Sequence, residues 1–220
     1  VAQANPSLGY TIHPDNIKAV LNDPESIVRT EVLTQWVDTI NPVINPSQWE
    51  SCKVEGLRLN PESDTWLAID LSPDRKQAAL VASQKLEGDK FQVILLQTWH
   101  NPSNLDDKAL ANDLAEWVRK YPVQLVAYSA RTASAVAARL APAGIRTEPI
   151  DGLDYAQSCD ELLGAISSQR LAHSGQDELT KHCLAAVKLP FGDGGWVMGR
   201  KVSNAVICGA VASAMATHYA

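Results

Sequence analysis

From Thr65 onward the chain alternates short apolar runs with polar turns. Thr65-Trp66-Leu67-Ala68-Ile69-Asp70 reads as a strand that ends on an acid, and Ser72-Pro73-Asp74 turns the chain. A second strand runs from about Gln77 to Ser83, Glu87-Gly88-Asp89-Lys90 turns the chain again, and a third strand spans Phe91 to Trp99. Loops this short reverse a chain but hold no crossover helix, so these three strands form an antiparallel meander.

The period then changes. Leu110, Leu114, Trp117, Val118 and Tyr121 fall on one helical stripe, with Asp106 and Asp107 in the favourable first turn. Val123-Gln124-Leu125-Val126-Ala127-Tyr128 is a fourth strand, apolar enough on both faces for the middle of a sheet. A short helix from about Thr132 to Ala141 ends near Gly144 and leads to a fifth strand, Ile145 to Ile150. The next helix buries Tyr155, Cys159, Leu162, Leu163 and Ile166. The loop Phe191-Gly192-Asp193-Gly194-Gly195-Trp196 and a small-residue helix from about Ala205 to Tyr219 close the chain. Strand meander, helix, strand, helix, strand and helices is an α/β order. It resembles the RNase H-like arrangement: a mixed five-stranded sheet, antiparallel and then parallel, flanked by helices.

Residues 1–60 show little strand pattern and read as a helical lead-in to a main domain at 61–220. Asp23 caps a helix with Pro24 at its first position, and Ile27, Val28, Val32, Leu33, Trp36, Val37 and Ile40 follow at helical spacing. Asn41-Pro42-Val43-Ile44-Asn45-Pro46 ends that helix. The start at Val1, without methionine, reads as a piece of a longer polypeptide.

Composition narrows the class without deciding it. The 220 residues are 45% hydrophobic, enough for a packed core and against wholesale disorder. A net charge of -6 excludes a uniformly basic protein, yet a local basic groove is enough for a nucleic-acid backbone. No apolar stretch reaches membrane-span length and no export signal precedes the domain, so no membrane partner is expected. Cys52, Cys159, Cys183 and Cys208 are too scattered for a zinc knuckle or a redox pair and read as reduced, mostly buried thiols of a cytosolic protein. His173 and His182 match no familiar zinc spacing.

The candidate chemistry starts from Asp70. An acid closing an apolar strand stands where a sheet opens to solvent, which suits metal-dependent phosphoryl transfer. Asp74 offers a second carboxylate, and it equally suits capping of its own turn.

Several segments together resemble the C-terminal nuclease domain of the large terminase subunit of tailed bacteriophages, the ATP-driven DNA-packaging motor. They are Ala4-Asn5-Pro6-Ser7-Leu8-Gly9-Tyr10; Arg29-Thr30-Glu31-Val32-Leu33 with Trp36; Trp66 to Arg75; Arg170-Leu171-Ala172-His173-Ser174-Gly175; and Gly194-Gly195-Trp196 with Arg200-Lys201 and the alanine-rich end. They occur in the family's order across nearly the whole chain.

The resemblance implies a magnesium- or manganese-dependent endonuclease that cuts concatemeric double-stranded DNA through two ions about 3.5 to 4 Å apart. It also implies an ATPase domain earlier in the same polypeptide, because no G-x-x-x-x-G-K-[ST] motif occurs here. The implied partners are the small terminase subunit and the portal protein, and the implied location is the host cytoplasm, outside the mature virion.

The implied acids carry over in part. Asp70 matches the first, and Asp74 stands beside it as a candidate metal ligand. Ser129 stands where the family has an acid at the end of the fourth strand, and Ala205 or Val206 stands where it has one at the start of the last helix. Asp151, Asp154 and Asp193 are the candidate substitutes, although the first two also suit helix capping and the third a glycine-rich turn. Arg131, Arg139, Arg146, Arg200 and Lys201 are the candidate phosphate contacts, with solvated surface as their plainer reading.

Three readings follow: the terminase endonuclease, cutting or disabled; a catalytically silent RNase H-like module that binds DNA or docks onto the motor; and an unrelated RNase H-like enzyme such as a resolvase or integrase.

Overall fold

The structure, a computed structural model, describes His13, Asp15 and residues 42–220. The expected helix after Asp23 lies outside the described residues, as do the segments Ala4 to Tyr10, Arg29 to Leu33 and Trp36. Val43–Ala220 forms one compact unit.

A six-stranded sheet carries that unit, in the order β5-β4-β1-β2-β3-β6. Its strands are β1 (Thr65–Leu71), β2 (Gln77–Leu86), β3 (Lys90–His100), β4 (Val123–Ser129), β5 (Thr147–Ile150) and β6 (Leu171–His173). The antiparallel meander β1-β2-β3 forms as expected, and β4 and β5 join in parallel beyond β1. The sheet is one strand larger than the five expected, because β6 pairs in parallel with β3 through Phe91–Leu171, Gln92–Ala172 and Val93–His173. The Gly-rich stretch read as a loop is the turn of a separate hairpin, β7 (Lys188–Phe191) and β8 (Gly195–Met198).

Two cores lie on opposite faces of the sheet. Leu67, Ile69 and Leu71 of β1 meet Leu110 and Leu114 of α2 (Asp107–Lys120) and Val136 and Leu140 of α3 (Ser134–Leu140). Ala68, Ala79 and Val81 face the other way, toward α4 (Gly152–Ser167) and α6 (Cys208–Tyr219). Small side chains on this sheet face let the backbone of α6 come close. Its Cys208 to Thr217 are buried on every side, as expected of an apolar helix inside a domain. Side chains alternate along a strand, so Asp70 shares the α6 face with Ala68.

The stretch before Thr65 contributes to the same core. Asn45 caps α1 (Pro46–Ser51), its Oδ1 accepting from the Ser47 N–H at 2.9 Å, with Pro46 at the first helical position. Ile44 and Trp49 are buried, and the Trp49 indole stacks on the His173 ring with centroids 4.0 Å apart. Gly175 N–H donates to His173 Nδ1 at 3.1 Å, so the ring proton sits on Nε2, which donates to the Trp49 carbonyl at 2.8 Å. The α5 helix (Asp177–Ala185) closes the layer, and its Thr180 Oγ1 accepts from Trp49 Nε1 at 3.1 Å.

Burial holds the pKa of both His173 and His182 below the ordinary 6.5, so each ring is favoured neutral in the fold. A group whose folded pKa is depressed binds fewer protons folded than unfolded, and stability then falls as pH drops. The loss is expected to begin below about pH 6.5 and to stop growing beneath the folded values. Urea midpoints at about pH 7.5 and about pH 5.5 check this, and His173→Gln should flatten part of the difference.

Candidate nuclease centre

The three parallel strands β1, β4 and β5 end together. Ile69 pairs with Tyr128, so the next residues on these strands, Asp70 and Ser129, are neighbours, and Ser129 pairs with Ile150 just before Asp151. Asp70 has no solvent exposure. Its partner is Arg200, in the segment that joins β8 to α6. Arg200 Nη2 donates to Asp70 Oδ1 at 2.7 Å, and Nε reaches Oδ2 at 3.0 Å and Oδ1 at 3.2 Å. Thr132 Oγ1 adds a third donor to Oδ1 at 3.2 Å. Both carboxylate oxygens are thus engaged in a bidentate, charge-assisted pair.

Local structure fixes both halves of this pair. Asp70 is held by the ladders of β1 to β2 and β4. Gly199 precedes Arg200 where the backbone runs so close to the hairpin that an added Cβ would lie 2.4 Å from Val202 Cγ2 and 3.0 Å from Leu189 Cβ. Met198, one residue earlier, is buried, and its carbonyl accepts from Tyr155 Oη at 2.8 Å. The guanidinium then lies over the Tyr155 ring, 5.0 Å from its centroid. Arg75 buttresses Thr132 from below: it donates to the Thr132 carbonyl at 3.0 Å and pairs with Asp107 at the start of α2.

Electrostatics follow the geometry. Burial works against the charge of Arg200, and Asp70 more than offsets it, so the guanidinium is held above its ordinary range. The Cys208 thiol, first residue of α6, is raised well above its usual value by burial and by the facing charge of Asp70. Burial likewise pushes Cys159 up to about 11. These thiols stay protonated at neutral pH, and a protonated thiol is a poor metal ligand.

No protein-family model matches the chain, and no curated protein does. Among solved structures, the HK97 bacteriophage large terminase matches with a TM-score of 0.71 at 19% identity over 100% of this chain and 53% of that one. The large terminase nuclease of thermophilic phage G20c matches at a TM-score of 0.59 and 13% identity, over 80% of this chain and 97% of that one. The nuclease domain of Thermus phage P74-26 large terminase gives 0.60 and 13%, over 80% and 94%. This chain has the fold of a phage large-terminase nuclease domain. It spans about half the length of the HK97 large terminase. The G20c nuclease has also been solved with bound magnesium and with bound cobalt.

The donor set at the Asp70 end of β1 does not fit two such ions. Two divalent ions carry four positive charges, whereas Asp70 and Arg200 together carry none, and hard ions need several oxygen ligands. Among the described residues no group of three His, Cys, Asp or Glu side chains is placed to hold a metal. Asp74, exposed on the turn after β1, accepts from Ser72 Oγ at 2.6 Å and from the Lys76 N–H at 3.2 Å, and the Ser72 bond holds its pKa below the ordinary range. That is the turn-capping role.

Ser129 is buried at the β4 end, and its carbonyl starts the turn into α3 by accepting from Thr132 and Ala133. Ala205 is exposed and Val206 half-buried against the core, both ahead of α6, which starts at Cys208 rather than near Ala205. The residue at the helix start whose side chain faces Asp70 is Cys208.

Of the substitute acids, Asp151 stands at the same sheet end, close enough to feel the charge of Arg200, but it is committed to other partners. Asp151 caps α4 through Gly152 N–H at 2.7 Å and pairs with Arg131 at 3.0 Å. Desolvation works against its charge, but those partners and the charge of Arg200 hold its pKa down. Asp154 is exposed in the first turn of α4, and Asp193 is exposed at the tip of the β7–β8 hairpin.

The basic residues also separate. Arg200 is inside, on Asp70, with a side chain only 15% exposed, which departs from its expected place on the DNA face. Arg139 sits in the last turn of α3, and Arg146 precedes β5 and pairs with Glu148. A crossover helix runs back against its strands, so these two lie away from the Asp70 end. Arg131 and Lys201 are exposed and next in sequence to that end.

Sequence reasoning missed Thr132, Tyr155 and Cys208 as neighbours of Asp70 and mistook the partner of Arg200. One signal was available: an acid buried in a central strand requires a cation, and Arg200 directly follows an apolar strand and a glycine.

Gly199→Ala is expected to destabilise the domain by about 1 to 3 kcal/mol, since the added methyl overfills the contact with Leu189 and Val202. Denaturant midpoints read this loss.

Proposed function

We propose that this chain is the nuclease module of a phage DNA-packaging large terminase in a form that handles double-stranded DNA without cutting it. The observation that carries the reading is Asp70, a carboxylate closed off by Arg200, with Ser129 and Cys208 in the places beside it. The fold supports the packaging role, and the donor set argues against hydrolysis through two magnesium or manganese ions. Within that role the ATPase of the same polypeptide moves the DNA in the host cytoplasm, and the small terminase subunit and the portal protein are the docking partners.

Metal-dependent cleavage is the second reading, favoured by the place of Asp70 at the sheet end and by the magnesium and cobalt bound in the G20c nuclease. In the proposed form, this chain's residues only hold and orient. Arg131 is tied to Asp151 by an exposed pair, which is weak enough to exchange for a phosphate, and Lys201, next in sequence to Arg200, is exposed.

Purified protein is expected to leave supercoiled plasmid intact with magnesium or manganese. It is expected to bind linear duplex with an affinity that falls with salt, at a log–log slope of about -2 for two phosphate contacts. Arg131→Ala with Lys201→Ala should bring the slope near zero. Nicking by the unaltered protein would overturn the silent reading and restore the endonuclease. Ser129→Asp with Val206→Asp, and separately with Cys208→Asp, tests whether acids alone rebuild cleavage.

A further inference from the structure

We infer that Arg200 is the resident counter-ion of Asp70, a guanidinium fixed on the acid that the terminase resemblance makes a metal ligand, so that this sheet end is a structural ion pair closed to metal. The inference rests on the silent reading proposed above and assigns it a residue. Both oxygens of Asp70 are occupied, by Arg200 Nη2 at 2.7 Å, by Nε at 3.0 and 3.2 Å, and by Thr132 Oγ1 at 3.2 Å. Asp70 is fully buried, so a cation that displaced Arg200 would have to replace each of these contacts without help from solvent.

Arg200 is itself held on three sides. Gly199 sets its backbone against Leu189 and Val202, the Tyr155 ring lies beneath the guanidinium at 5.0 Å, and Ser203 Oγ anchors the following turn by donating to the Gly199 carbonyl at 2.8 Å. A solvated side chain recruited only by an empty carboxylate would need none of this support. Arg200 is therefore a positioning residue: it replaces the charge of the metal and ties the segment between β8 and α6 to the sheet.

Removing one partner of a buried pair leaves an uncompensated charge, whereas replacing both with neutral groups of similar size is close to neutral. Thermal unfolding with and without manganese chloride, the metal alone, tests the assignment. The unaltered protein should show no manganese-dependent change in Tm. Arg200→Met should lower Tm by about 10 °C and make it rise with manganese, because the unpaired carboxylate then has a cation to gain. Arg200→Lys keeps the charge but loses the bidentate fork, and should fall between the two. Asp70→Asn with Arg200→Met should regain most of the lost Tm and lose the manganese response. This double variant also decides the matter if Arg200→Met alone does not fold.

An Arg200→Met protein as stable as the parent, a parent Tm that rises with manganese, or a double variant no more stable than the single one would each overturn the assignment. DNA plays no part in these measurements, so a chain that fails to bind duplex would overturn the proposed function and leave this result intact.

Discussion

A carboxylate with no access to water must be neutralised from within, and the pair of Asp70 with Arg200 is where this domain meets that requirement. Three otherwise separate parts converge on it: the central strand β1, the turn after β4 through Thr132, and the segment between the hairpin and α6. The Arg75 bonds to Asp107 and to the Thr132 carbonyl carry the same network to the first helix beyond the meander. The pair thus fixes how the two faces of the sheet close at one end. It also sets the chemistry there, because a carboxylate already satisfied by a guanidinium and a hydroxyl has little left to offer a hard cation.

The packing around the pair has its own logic. Alternation along β1 sends Leu67, Ile69 and Leu71 to one core and Ala68 with Asp70 to the other. The second face is lined by alanines where α6 crosses, so the start of that helix, with Cys208, lies against Asp70. Gly209 follows because a Cβ there would lie 2.6 Å from His182 Nδ1, which instead accepts the Gly209 N–H at 3.0 Å. A buried thiol and a buried serine beside a buried acid leave a site that is tightly packed and low in negative charge, the opposite of an open two-ion cradle.

Much of the fold was legible because its signals are local. The strands from Thr65 to Tyr128 each carry a long enough run of apolar residues to declare themselves, and the stripe from Leu110 declares α2. The β6 strand has three residues, too few for any period, and exists because β3 offers it an edge. The β7–β8 hairpin was hidden by its own turn, whose Gly192 and Gly194 take positive φ and read as loop. Asp70 could be singled out because an acid closing an apolar strand is conspicuous. Its partner could not, because the ion pair joins residues 130 positions apart and only the fold brings them together. The same holds for Arg139 and Arg146, whose distance from the Asp70 end depends on the direction of α3 and β5 rather than on sequence spacing.

The most direct test of the central claim is a crystal structure of the unaltered protein soaked in manganese, read by anomalous scattering. The claim predicts no manganese peak at the β1 end and a guanidinium still bidentate on Asp70. A manganese peak bonded to Asp70, with Arg200 swung away, would contradict it.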